Sequence, residues 1–349
     1  TDGNHDDTPN LNYTYHFNTD KTFNETATVK PQFDGITYSF VYGDALFMVY
    51  SHQDFWRGSY SYANGTSTYL SNDVANWFRD QVEKYPDTKW RIAAVHKNLF
   101  TGSGHQTDED GALFRATLLP VFQELNIDFV IQGHDHIYEV MGPINNTTKT
   151  IVPGSVTNVE LVSPDSNKNP KGQQGGTFNV KEGTLYFVNG TCGRKRYYPY
   201  TQDEMEAGFD KHKVEGYWDL FTGKYGQPGA PAFSEISVSS SEIEVNTYTS
   251  DANAQATLFD TFKIVKSGNT GIEENKQSAK LYPTYAKDKI NTTESDIIRV
   301  NAIDLTGKIY TLPFDNQNID VSNLTDGIYV VQIFTNEKTR SERIVKTSR

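Results

Sequence analysis

An α/β layered fold followed by a small all-β sandwich is what this 349-residue sequence predicts, and three observations carry the prediction. Two short apolar runs, each leading into a histidine segment, alternate with two amphipathic stretches in the first 140 residues. Short β-prone runs separated by Gly, Asn and Pro follow as far as residue 265. Beyond a polar stretch without aromatic residues, a strand pattern resumes and lasts to the end of the chain.

Residues 35–50 alternate and then run apolar, which predicts two strands around a turn at Tyr42-Gly43-Asp44. Residues 72–85 predict a helix with Ser71 as N-cap, an apolar face of Val74, Trp77, Phe78 and Val82, and Pro86 after the last turn. Trp90 to Val95 predicts a buried strand ending at His96. Residues 111–125 predict a second helix carrying Pro120 as a kink or late first-turn residue. Asp128 to Ile131 predicts another buried strand that runs into Gly133-His134-Asp135-His136. Polar chemistry at the carboxyl ends of buried strands is the layout of an open α/β site.

Residues 163–176 and 199–232 read as long surface loops, and strands resume at 233–248 and 257–265. Residues 266–279 read as a linker. The domain boundaries are thus 1–265, then the linker, then a β-sandwich over 280–349 with strands near 297–303, 308–312, 327–335 and 340–346. The sequence has no internal repeat.

Composition narrows the function classes. The net charge is −12, and the acidity lies in the main body, because residues 279–349 hold ten Lys/Arg against nine Asp/Glu. An acidic body argues against a broad nucleic-acid surface, but a small phosphate ester captured by metal ions stays open. A mean hydropathy of −0.61 without any twenty-residue apolar run predicts no membrane-spanning helix. Cys192 is the only cysteine, so no intrachain disulfide forms, and the compartment stays open.

Three segments carry candidate chemistry. In Gly133-His134-Asp135-His136, two histidines at i and i+2 of an extended segment point to one side and reach one metal cluster. In Gly3-Asn4-His5-Asp6, the Asn side chain offers a neutral oxygen ligand, His5 can face a substrate, and Asp6 can fix its tautomer. His96 closes a buried strand. Taken singly, these also read as two loop histidines, a polar turn and a structural histidine. His16, His52 and His212 have no partner at ligand spacing and are assigned surface or core roles. Trp56 and the Tyr-rich run at 60–69 read as packed aromatics or a substrate rim. Arg194-Lys195-Arg196 is a basic triplet that either steers a phosphate or is simply solvated.

Taken together, Asn-His, then His, then Gly-His-x-His at successive strand ends resembles the calcineurin-like metallophosphoesterase family. Lys89 to His96, Thr101-Gly102-Ser103-Gly104-His105, Gln132 to Glu139, Gly183 to Tyr186 and Asn189 to Gly193 look like its purple acid phosphatase branch. The resemblance covers residues 1–265 and implies a metallophosphoesterase-type β-sandwich flanked by helices, with its first strands lying before Thr1. It implies two metal ions (Fe, Mn or Zn), one bound by Asn4, His96 and His134 and the other by His136. It implies that a hydroxide bridging the ions attacks phosphorus, with His5 and Asp6 assisting and His105 contacting the phosphate.

The family's Asp-x-His and Gly-Asp-x-x-Asp motifs precede its Asn-His, and here only Thr1 and Asp2 precede Gly3. The expectation is therefore a chain that does not assemble the dinuclear centre unaided. Asn98 also replaces the family's usual Pro. In the tail, Leu281-Tyr282-Pro283, Asp304 to Lys308, Val321 to Tyr329 and the basic end around Lys346 resemble the type IX secretion sorting domain. That resemblance implies export by the type IX machinery of a Gram-negative bacterium, to the surface or the medium. A fibronectin-like binding module is the competing reading of the tail. For the main body the expectation is an acid phosphatase-like phosphomonoesterase. The alternatives are a phosphodiesterase of the same family and a non-catalytic surface protein that keeps the scaffold.

Overall fold

The computed structural model describes Gly3 and residues 37–51, 71–165, 168–207, 216–266, 281–282, 285–304, 306, 308–335 and 339–348. It divides into two compact units, Thr1–Gly268 and Asn269–Arg349. Asn4, His5 and Asp6 lie outside the described residues, as do His16, His52, Trp56, His212, the Tyr-rich run and most of the expected linker.

The first unit is built on two sheets. Strands β1 (Tyr38–Tyr42), β2 (Ala45–Tyr50), β3 (Trp90–Val95), β4 (Phe129–Gln132) and β5 (Tyr138–Asn145) enter the larger sheet, with β6 (Thr150–Ile151) on the edge of β5. A second sheet takes β7 (Val156–Leu161) and β8 (Gln173–Asn179), while β9 (Thr184–Asn189) and β10 (Phe221–Gly226) return to the first. The order in the larger sheet is β1-β2-β3-β4-β9-β5-β10, and β2, β3, β4 and β9 run parallel. β11 (Ala232–Val238), β12 (Glu242–Ser250) and β13 (Ala256–Val265) complete the smaller sheet in the order β11-β12-β13-β8-β7.

Strict alternation along the central strands decides what each face of the larger sheet packs against. Ala45, Trp90, Ile92, Phe129, Leu185 and Phe187 face the second sheet and meet Phe178, Ile243, Val245, Phe262 and Ile264. Leu46, Met48, Ala93, Val95, Val130 and Tyr186 face the other way, onto two helices. These are α1 (Ser71–Lys84) and α2 (Glu109–Glu124). Burying one large side chain of this kind contributes about 1.5–3 kcal/mol. The interlayer also holds polar pins: the buried Trp90 indole N–H donates to Ser239 O at 2.7 Å, and Tyr138 Oη donates to Asp260 Oδ2 at 2.9 Å.

Three local readings need correction. Ser71 is the first helical residue of α1 and not its flank. Residues 199–232, expected as a loop, contain the short helix α3 (Gln202–Ala207), a 3₁₀ turn at Tyr217–Leu220 and β10, which pairs with β5. The expected loop 163–176 likewise ends inside β8. Glycine supplies the reason at both strands: a Cβ on Gly223 would lie 2.8 Å from Val140 Cβ, and one on Gly176 2.8 Å from Phe178 Cζ. Packed side chains leave no room for a Cβ at Gly223, and Gly176 adds φ 123°, so glycine is needed at both, and a propensity reading takes the same glycines for turns.

The second unit is all-β. One sheet orders β14 (Leu281–Tyr282), β16 (Lys289–Thr292), β20 (Asn318–Asp320) and β19 (Phe314–Asp315). The other orders β15 (Tyr285–Ala286), β22 (Thr339–Lys346), β21 (Gly327–Thr335), β17 (Ile297–Asp304) and β18 (Ile309–Thr311). Its core gathers Ile290, Val300, Ala302, Ile319, Val331, Ile333 and Ile344.

Candidate functional site

Adjacent parallel strands bring the histidine segments together. β3 and β4 pair from Ile92↔Phe129 to Ala94↔Ile131, and past their ends Gly133 N–H still donates to His96 O at 2.9 Å. Gly133 leaves room for the His96 ring, because a Cβ there would lie 3.3 Å from His96 Nδ1. The backbone then turns sharply. His134 adopts φ 68°, a left-handed conformation that costs a non-glycine residue of order 1 kcal/mol, and Asp135 N–H donates to Gly133 O at 2.8 Å.

This turn replaces the extended segment expected from the Gly-His-Asp-His spacing, and it separates the surroundings of the two histidines. The buried His134 ring lies 5.2 Å from the His96 ring and 3.8 Å from the His105 ring, centre to centre. The half-buried His136 stacks on Tyr197 at 4.8 Å, and its Nδ1 lies 2.8 Å from Lys195 O. Because a carbonyl only accepts, His136 Nδ1 carries the proton and Nε2 offers its lone pair. Tyr197 also packs 5.5 Å from His105, so five rings run continuously through His96, His134, His105, Tyr197 and His136.

His105 sits on the loop after β3, tied down on both sides. Its Nδ1 lies 2.7 Å from Asp108 Oδ2, which places the proton on Nδ1, and Nε2 looks toward Tyr197 Oη at 3.4 Å and Asp135 Oδ1 at 3.9 Å. His105, Asp108 and His134 form a group whose ligand atoms all lie within 4.8 Å of one another. Imidazole nitrogens suit zinc, iron or manganese, and of the expected ligands His96 and His134 lie side by side while His136, with Nδ1 on Lys195 O, keeps Nε2 for a ligand bond, so these side chains fit a metal of that class.

Beneath the rings the loop is held by buried polar groups. Gln132 accepts Leu99 N–H at 2.7 Å through Oε1 and donates to Phe100 O at 3.1 Å through Nε2. Thr101 Oγ1 contacts Asp135 Oδ2 and Glu139 Oε1, and Gly102 N–H donates to that same Glu139 oxygen at 2.9 Å. Burial, and then the neighbouring Asp135 charge, push Glu139 well above the ordinary carboxylate range, and burial likewise raises Asp135. Asn98, which stands where the resemblance expects proline, is buried with neither side-chain polar atom hydrogen-bonded among the described residues.

The structure therefore groups His96, His105 and His134, while His136 joins them through Tyr197. Asp108, Tyr197, Thr101 and Glu139 were not singled out from the sequence. Asp108 offered a signal in its three-residue spacing from His105, and Tyr197 in its place beside the basic triplet. Thr101 and Glu139 each stand at the end of a stretch that carries the family resemblance, but only the folded chain makes them neighbours.

Comparison with known proteins bears on the same region. Residues 1–138 match the model of the calcineurin-like phosphoesterase family, and residues 280–347 match that of the secretion system C-terminal sorting domain. An uncharacterized protein of Mycobacterium tuberculosis is 27% identical over 134 residues, covering 35% of this chain and 24% of that protein. Purple acid phosphatase 5 of Arabidopsis thaliana is 31% identical over 87 residues, covering 24% of this chain and 22% of its own length. Among solved structures, purple acid phosphatase PPD1 from yellow lupin (Lupinus luteus) seeds aligns with 68% of this chain and 33% of its own, at 16% identity and a TM-score of 0.41. The chain thus spans about a quarter of the curated relatives' length. Among the described residues no helix is long and apolar enough to cross a membrane. The two matches, one over the histidine-bearing strands and one over the all-β tail, mean that the chain carries a calcineurin-like phosphoesterase domain at residues 1–138 and a secretion system sorting domain at residues 280–347.

Proposed function

We propose that this chain is part of an exported, metal-dependent hydrolase of phosphate esters, acting as an acid phosphatase-like phosphomonoesterase. The observation that supports the reading is the packing of the His96, His134 and His105 rings where β3 and β4 end, inside the matched phosphoesterase region. Asn4, His96 and His134 would hold one ion and His136 the other. When bound, such ions supply Lewis acidity to the phosphoryl group and acidify water at neutral pH.

The chain's own residues do the rest. His105, with Nδ1 anchored on Asp108, presents Nε2 for a phosphate oxygen, and as an imidazolium it donates from both nitrogens. His5, oriented by Asp6, delivers a proton to the leaving oxygen. Tyr197 walls the His105–His136 side and limits water there. The tail at 280–349 serves as the export signal read by the type IX machinery, which places the protein at the surface of a Gram-negative cell or outside it.

The test is metal retention with turnover. Purified chain dialysed against Zn²⁺, Fe²⁺ or Mn²⁺ should retain metal that His134→Ala releases. Any turnover should favour p-nitrophenyl phosphate over its bis-ester. Equal retention by the wild-type and His134→Ala chains would sink the reading.

A further inference from the structure

The loop after β9 brings three cations to the rim of the histidine edge. Arg194 and Lys195 are exposed and Arg196 is half-buried, and among the described residues none of them has a carboxylate within 4.0 Å. Arg196 Nε is shielded from solvent and makes no hydrogen bond, while Arg196 Nη1 donates to Arg194 O at 3.1 Å. In a protein of net charge −12, three adjacent unneutralised cations form a local exception.

The loop is also fixed in place. Ala232 N–H donates to Thr191 O at 2.9 Å, Gln227 Nε2 donates to both His136 O and Tyr197 O, and Ser103 Oγ donates to Tyr198 O at 2.7 Å. Lys195 supplies the carbonyl that orients His136, and its Nζ lies 4.8 Å from the centre of the Tyr197 ring that stacks on that histidine. The backbone that carries the cations is therefore tied to the same rim as the site.

We propose that Arg194, Lys195 and Arg196 form a second anion subsite. It takes a further phosphate of the substrate, so the preferred ester carries at least two phosphate groups. Guanidinium groups bind phosphate oxygens through paired, charge-assisted hydrogen bonds, and a preorganised loop loses little freedom on binding. The proposal rests on the phosphoesterase reading for the identity of the first subsite, but the cations can be tested without metal.

The test is calorimetric titration of the full chain, in EDTA, with inorganic tripolyphosphate and with orthophosphate. Wild type should bind tripolyphosphate more tightly than orthophosphate, and added salt should weaken it. Arg194→Gln/Lys195→Gln/Arg196→Gln should lose about tenfold or more in tripolyphosphate affinity, equivalent to roughly one charge-assisted bond. Arg194→Gln/Lys195→Gln, which alters exposed residues only, should show the same direction if the triple variant unfolds. Equal tripolyphosphate binding by wild type and the double variant, or no binding by wild type, overturns the subsite. Loss of tripolyphosphate binding in a chain that retains no metal keeps the subsite and removes the phosphoesterase reading. Metal retention with no effect of the loop changes does the reverse.

Discussion

Asp135 and Glu139 meet on a single hydroxyl, with Thr101 Oγ1 lying 2.6 Å from Asp135 Oδ2 and 2.9 Å from Glu139 Oε1. One hydroxyl carries one proton and can donate to only one of them. The second contact requires a proton on a carboxyl, and Glu139, fully buried beside the Asp135 charge, is the group held neutral. An acid raised in the native state binds more protons than the unfolded chain above its ordinary value of about 4.3, so this contribution to stability falls as pH rises. Glu139→Gln keeps an acceptor for Gly102 N–H but supplies no proton from that oxygen to Thr101 Oγ1, so it should cost about 1 kcal/mol while flattening the pH dependence measured between pH 5 and 9. Glu139→Ala strips the partner from Gly102 N–H and should cost about 1–3 kcal/mol. Urea denaturation of both variants across that pH range decides the matter.

Gly133→Ala tests how His96 is placed. The added Cβ would lie 3.3 Å from His96 Nδ1 and 3.4 Å from His96 O, so the ring must yield by a few tenths of an ångström. Fold stability should change by less than about 1 kcal/mol, as for a mild steric adjustment. Zinc affinity measured by equilibrium dialysis should fall by roughly ten- to a hundredfold, the usual effect of disturbing what supports a ligand.

Gly102→Ala should act on stability directly. A Cβ there would come within 2.6 Å of Tyr225 Cε2 and 2.7 Å of Met205 Cε, and both residues are buried. Tyr225 cannot step aside easily, because its hydroxyl lies 2.7 Å from Gly102 O and 2.8 Å from Tyr200 O. Overpacking of this kind costs about 1–3 kcal/mol. The midpoint of urea unfolding should drop with its slope unchanged.

The contrast between what the sequence disclosed and what it concealed follows the range of the interactions. β3 and β4 are legible because both faces are covered, which leaves uninterrupted apolar runs such as Ile92 to Val95. The histidines at their ends are legible for the same reason: polar residues stand out where such a run stops. β8 and β10 are not, since Gln173-Gln174-Gly175-Gly176 and Phe221-Thr222-Gly223-Lys224 owe their strand state to neighbours and not to propensity. Asp135 sat in plain view between two histidines, yet its partnership with Glu139 through Thr101 depends on a loop folding back over 34 residues.

At the opposite end of the same strands, Lys266 closes on Asp128. Its Nζ lies 2.7 Å from Asp128 Oδ2, contacts Lys89 O, and sits 5.1 Å from the centre of the Trp90 ring. Asp128 also accepts Arg91 N–H at 2.7 Å, but burial dominates and pushes its carboxyl up to about 6. The native chain therefore binds more protons than the unfolded chain between about pH 4 and 6, and stability falls by about 3 kcal/mol or less as pH rises through that window. Lys266→Met removes the charge that restrains the shift. Its cost should be small at pH 5 and grow to about 1–3 kcal/mol at pH 8, below the value for a fully buried pair because Lys266 is 34% exposed. Asp128→Asn keeps an acceptor for Arg91 N–H and should flatten the dependence. If urea denaturation shows Lys266→Met equally destabilised at both pH values, Lys266 acts by covering Trp90 and its charge is immaterial.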